Sequence, residues 1–143
     1  MPARMSESFR AGRVLRRGQV WTLDDAKLRL SSDLEGTGRK AKHRPCVVVS
    51  GDHVSAAPEH PYALIVPMTR RSTSSPLGRF EVAFPAGTAG LDYDSVAVVY
   101  LLQPWRKLDF DSFLGALPDA GTEELLATIL DYLGLSGLES PDV

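Results

Sequence analysis

The order of apolar and polar positions changes character twice along this chain. Residues 1–17 show no sustained period. From Gln19 the run Gln19-Val20-Trp21-Thr22-Leu23 alternates polar and apolar, which predicts a half-buried strand. Leu28-Arg29-Leu30 alternates again and reads as the return strand of a ribbon. Residues 45–50 are rich in β-branched side chains and open on Pro45, fitting a buried central strand. Residues 62–66 repeat that pattern and close at Pro67, while residues 79–84 place Phe80, Val82 and Phe84 on one face. Residues 95–102 and 106–110 complete a set of six or seven short strands separated by turn signals. Such spacing predicts a mainly β domain of α+β type, built as a small barrel or as two packed sheets.

Beyond residue 111 the period becomes helical. Residues 112–117 read as a single turn, and Thr122 caps a helix with Glu123 and Glu124 in its first turn. Leu125, Leu126, Ile129, Leu130 and Leu133 then follow at helical spacing, until Gly134 stops the helix. The expected organisation is a flexible basic arm over residues 1–16, one domain over 17–135 and a tail over 136–143. One amphipathic C-terminal helix covers the strands.

Composition narrows the class. The chain has 143 residues, 43% of them hydrophobic, enough for one domain with its own core. Its longest apolar run, residues 96–102, falls far short of the ~20 residues a membrane span needs. No apolar leader follows the arginine-bearing N-terminus, so a soluble cytoplasmic protein is expected, with no membrane partner. Cys46 is the single cysteine, which excludes an internal disulfide and a cysteine cage for zinc.

The net charge of -2 hides a polarity along the chain. Residues 1–44 carry eleven basic against five acidic side chains, whereas residues 108–143 carry eight acids and no base. The stretch 35–44 holds two glycines and four Lys or Arg residues, the composition of an exposed basic loop. Opposite charge at the two ends suits separate partner surfaces, or acids that merely decorate a helix and a tail. A phosphate-cradling glycine loop, HExxH and GxSxG are all missing. His43, His53 and His60 are too scattered for a metal site, so no metal and no cofactor is expected.

Several segments, taken in order, resemble the MazF/PemK family of toxin endoribonucleases. They are Arg17-Gly18-Gln19-Val20-Trp21, His43-Arg44-Pro45-Cys46-Val47-Val48-Val49-Ser50 and Ile65-Val66-Pro67-Met68-Thr69. The series continues through Gly90-Leu91, Ser95-Val96, Arg106-Lys107-Leu108-Asp109 and Leu114-Gly115-Ala116-Leu117. The resemblance spans about residues 16–135. It implies an SH3-like β-barrel with an appended helix, usually a homodimer. It also implies metal-independent cleavage of single-stranded RNA, by attack of a 2′-hydroxyl on the neighbouring phosphate. The implied products are a cyclic phosphate and a 5′-hydroxyl, and the implied partner is a small acidic antitoxin.

The resemblance places Arg44 and Thr69 at the catalytic site. A guanidinium grips a phosphate by two points and keeps its charge at any working pH, and a threonine hydroxyl donates to a non-bridging oxygen. Arg39, Lys40, Lys42, Arg70 and Arg71 would track the RNA backbone. Trp21 either stacks a base or faces the core. The sequence departs from the family at one point: the acid expected before the late Arg/Lys segment is replaced by Leu102 or Gln103, depending on the alignment. The proton acceptor then falls to Asp24, Asp25, Glu35 or His43, with nothing in the sequence to choose among them. The alternative is a non-catalytic barrel that poisons a protein target, as gyrase poisons do, or a decayed toxin that only binds antitoxin.

Overall fold

Alternation in the first strand feeds two cores at once. In the computed structural model, which describes residues 14–30, 43–72 and 74–136, strand β1 (Gln19–Asp24) turns Val20 to one face and Trp21 and Leu23 to the other. It is followed by a 3₁₀ turn (Asp25–Lys27), β2 (His43–Val48), the one-turn helix α1 (Asp52–Ser55) and β3 (Tyr62–Arg70). Then come β4 (Glu81–Phe84), a turn at Thr88–Gly90, β5 (Ser95–Val98), β6 (Gln103–Arg106), β7 (Ser112–Ala116) and helix α2 (Asp119–Tyr132). The strands pair antiparallel in the order β4-β5-β3-β2-β1-β7, with β6 also on β3. No ladder joins β4 to β7 among the described residues, so the barrel-like sheet stays open.

One core gathers Val20, Val47, Val66, Met68, Val82 and Phe84 under Leu125 and Ile129 of α2. The other gathers Trp21, Leu23, Cys46, Val48, Ile65, Trp105 and Phe110. Each such side chain contributes about 1.5–3 kcal/mol by leaving water. Leu15 is fully buried in the second core, so the docked chain includes the end of what the sequence reads as an arm. No described helix is long and apolar enough to cross a membrane.

Several expected elements come out differently. β3 does not stop at Pro67. Val49 N–H donates to Leu64 O at 2.9 Å, which turns the even residues of β3 towards β2 and the Pro67 nitrogen away from it. On that far side the partner changes from β6, up to Ile65, to β5, from Met68, so the missing amide costs no ladder bond. Residues 28–30 form no return strand; the Gln103 side-chain amide instead donates to Arg29 O (2.9 Å) and accepts from Arg29 N–H (3.0 Å).

Residues 112–116 are a strand rather than a helical turn. A bulge there skips Leu114, since Val20 pairs with Gly115 and Trp21 with Phe113. β5 ends at Val98 and β6 at Arg106, each running into a 3₁₀ turn, Val99–Leu101 and Lys107–Asp109. Helix α2 begins at Asp119, ahead of Thr122, with Pro118 at its cap and Asp119 in its first turn. It ends as expected: Leu135 N–H donates to Leu130 O (2.8 Å) and Gly134 N–H to Asp131 O (3.0 Å), the paired bonds of a Schellman stop.

Candidate functional site

The start of β2 and the end of β3 lie side by side, with Cys46 opposite Pro67. Because successive residues of a strand point to opposite faces, His43 and Pro45 share one face and Arg44 takes the other, with Leu23 directly across from it. Arg44 is 5% exposed. Its Nε donates to Asp25 Oδ1 at 2.6 Å, its Nη2 to Asp25 Oδ2 at 3.4 Å and its Nη1 to Met68 O at 3.1 Å. A guanidinium has five N–H donors, so two remain beyond these three bonds. Asp25 is delivered by the 3₁₀ turn after β1, whose N-cap Asp24 accepts from Ala26 N–H at 3.0 Å.

A cleft of roughly 220 Å³ crosses these strand ends. Arg44, Thr69 and Arg70 line it together with His43, Met68 and Tyr93. The structure therefore brings Arg44, Thr69 and Arg70 around one cavity. Arg71 lies on an adjoining hollow of about 180 Å³ that shares Thr69 and Arg70 with the first. Its backbone N–H is fixed to Asp94 O at 2.8 Å. Arg39, Lys40, Lys42 and Glu35 lie outside the described residues.

His43 is anchored across the sheet. Its Nδ1 lies 2.8 Å from Asp111 Oδ2, and the same oxygen accepts from the Thr22 hydroxyl at 3.2 Å. Thr22 Oγ1 in turn accepts from Ser112 N–H at 3.1 Å. On the opposite wall the Arg70 guanidinium sits 4.1 Å from the centre of the Tyr93 ring, a cation–π stack.

Of the two readings open for Trp21, the structure places it in the second core. It is 9% exposed, its indole N–H donates to Gln19 Oε1 at 3.1 Å, and Phe110 and Phe113 meet its ring edge-on. It packs as a core residue. Gln103, one of the two positions left where the family places an acid, is tied up with Arg29, and Leu102 packs on the first core.

Cys46 is buried and burial pushes its thiol far above the ordinary value, which leaves it inert. Among the described residues no group of three or more His, Cys, Asp or Glu is placed to hold a metal ion. Lys107, in the late segment of the resemblance, is 1% exposed and donates to Val54 O (2.7 Å) and Ala57 O (2.8 Å). It fastens the end of α1 and stays away from the cleft lining.

Residues 16–133 match the family described as PemK-like, MazF-like toxin of type II toxin-antitoxin system. The chain belongs to that family. Among solved structures it is similar to an endoribonuclease in complex with its cognate antitoxin from a mycobacterial species, with a TM-score of 0.62 at 17% identity, covering 85% of this chain and 96% of that one. The Mycobacterium tuberculosis toxin MazF-mt6 gives 0.61 at 18% identity over 82% and 97% of the two chains. MazF from Deinococcus radiodurans gives 0.62 at 19% identity over 85% and 98%. At these identities the likeness establishes a shared fold. Comparison with curated proteins gives no match.

Three residues of this site carry little or no signal in the sequence. Asp25 is only one of four acceptor candidates there, Asp111 is one of the eight acids of residues 108–143, and Tyr93 lies in a turn. What unites them is contact across the sheet, which a linear pattern does not encode.

Proposed function

We propose that this toxin-family chain is an endoribonuclease that cuts single-stranded RNA by attack of a 2′-hydroxyl on the adjacent phosphate. The new bond joins the 2′ oxygen to phosphorus, the bond to the 5′ oxygen breaks and that oxygen takes a proton from water, and the products are a 2′,3′-cyclic phosphate and a 5′-hydroxyl. The observation that carries this reading is the gathering of Arg44, Thr69 and Arg70 around one cleft at the ends of β2 and β3.

In this reading Arg44 meets the phosphate and stabilises the negative charge that grows on the phosphorane, and Thr69 donates to a non-bridging oxygen. A phosphate entering the Nε/Nη2 edge of Arg44 takes the place of the Asp25 carboxylate, since both present two oxygens to the same fork. The released carboxylate is then the nearby acceptor for the 2′-hydroxyl proton. The fixed guanidinium supplies the positive charge, so the cut proceeds without a metal ion. Arg70 and Arg71 continue the cationic path along the neighbouring hollow.

A small acidic antitoxin neutralises this toxin by laying carboxylates on the same arginines, as Asp25 does internally. The working form is a homodimer, checked by sedimentation at micromolar concentration.

The deciding experiment is cleavage of a long single-stranded RNA in EDTA, with product ends mapped, for the wild type, Arg44→Ala and Thr69→Ala. Discrete cuts with cyclic-phosphate ends that vanish in Arg44→Ala support the reading. One feature favours a second reading, a non-catalytic poison of a protein target: the Arg44 side chain is only 6% exposed while Asp25 holds it. Intact RNA beside growth arrest that survives Arg44→Ala would establish that alternative.

A further inference from the structure

We infer that the cleft beside Arg44 contains a nucleobase subsite whose stacking surface is Tyr93, held by Arg70; the inference rests on the RNA-cleaving reading and specifies how its substrate is seated. Three observations carry it. The first is the shape and chemistry of the cavity. Its lining includes the apolar Pro45, Met68, Leu91 and Leu114 beside the polar Arg44, Thr69 and Asp92, with His43 and Arg70 exposed to solvent. An apolar slot with a few fixed polar groups suits a planar heterocycle, and a cation beside it suits the phosphate that a nucleotide carries.

The second observation is that Tyr93 is both available and rigidly presented. It is 53% exposed, with the Arg70 guanidinium 4.1 Å from its ring centre. Its carbonyl accepts from the Ser95 hydroxyl at 2.8 Å. The next residue, Asp94, is fixed twice, through its carbonyl to Arg71 N–H (2.8 Å) and through its carboxylate to Ala86 N–H (2.9 Å). Arg70 itself lies opposite Ser95 in the β3–β5 ladder, which brings guanidinium and ring together. A preformed stack loses little freedom when a base joins it.

The third observation is His43 on the other side of the cleft, its Nδ1 held by Asp111 so that Nε2 is the ring atom left to meet a base edge. Tyr93 thus takes the role that the sequence offered to Trp21. Its phenol ring is the aromatic surface in this cleft, whereas the indole is enclosed in the core.

The test is binding, independent of cleavage. The four ribonucleoside 3′-monophosphates, with ribose 5-phosphate as a base-free control, are titrated to about 20 mM, where millimolar affinity is resolved. The Tyr93 ring and His43 imidazole resonances are followed by NMR. At least one nucleotide is expected to shift both sets while ribose 5-phosphate does not. Tyr93→Phe is expected to keep the affinity, and Tyr93→Ala to weaken it about ten- to hundredfold.

Tyr93→Ala binding as tightly as the wild type, or nucleotides behaving like ribose 5-phosphate, would overturn the subsite. The RNA assay separates the two ideas. Nucleotide binding through Tyr93 by a folded chain that leaves RNA intact would keep the subsite and remove the nuclease. RNA cleavage with no nucleotide at Tyr93 would do the reverse.

Discussion

Arg44 and Asp25 form a two-point ion pair at the end of the sheet, Nε to Oδ1 at 2.6 Å and Nη2 to Oδ2 at 3.4 Å, with side chains 6% and 19% exposed. A charge so enclosed depends on its partner. Asp25→Ala leaves the guanidinium with Met68 O alone among these contacts and is expected to cost about 3–5 kcal/mol in denaturant unfolding. Asp25→Asn keeps an oxygen acceptor and should lose clearly less. Equal stability of Asp25→Ala and wild type would show that the pair holds nothing in place.

The same geometry makes Arg44→Lys informative for activity. An ammonium is a point charge and does not span two oxygens of one carboxylate or phosphate. Cleavage by Arg44→Lys is expected to fall about a hundredfold, carried by the turnover number more than by KM. Wild-type turnover in Arg44→Lys would remove the two-point grip from the mechanism.

How much of this was legible in the sequence differs by residue. Arg44 stood out because proline and a β-branched run fix the strand that follows it. Trp21 was ambiguous because alternation gives two faces without saying that both are covered, and here Leu23 and Phe110 share the second core with it. Residues 112–116 misled because the bulge at Leu114 breaks the two-residue period by which a strand is known. Pro67 misled because its nitrogen meets the one gap between two ladders, a matter of topology.

The wall of the cleft depends on a close approach. Gly90 has φ +76°, and a Cβ there would run into Leu114 O. Gly87 has φ +91° but open space around it. Gly87→Ala therefore measures backbone strain alone, about 1–2 kcal/mol, whereas Gly90→Ala adds a backbone clash and should cost more than about 3 kcal/mol. Equal losses at the two sites would mean that the turn at Thr88–Gly90 moves freely off β7.

Lys107 offers a pH signature. Burial lowers its pKa below the ordinary 10.5, while its ammonium donates to Val54 O and Ala57 O. The unfolded chain then binds the proton more tightly than the folded chain. Stability is expected to rise with pH across the alkaline window between the lowered value and 10.5. Lys107→Met should abolish that rise and, near neutral pH, cost about 2 kcal/mol through the lost donors. A parallel pH dependence in the two proteins would place the ammonium in water.

Arg71 tests the cationic path at a residue that plays no part in the chemistry. It is exposed, and its backbone rather than its side chain carries the link to Asp94 O. Each phosphate neutralised on a single strand contributes about -0.7 to the slope of log affinity against log salt. With a non-cleavable RNA carrying 2′-deoxy sugars, Arg71→Ala should flatten that slope by about 0.7 and weaken binding at low salt. Its stability should stay within about 0.5 kcal/mol of wild type, because no packing is removed. Thr69→Val makes the complementary control: it keeps the salt slope, since no charge is lost, yet lowers turnover. An unchanged slope in Arg71→Ala would end the RNA path at Arg70.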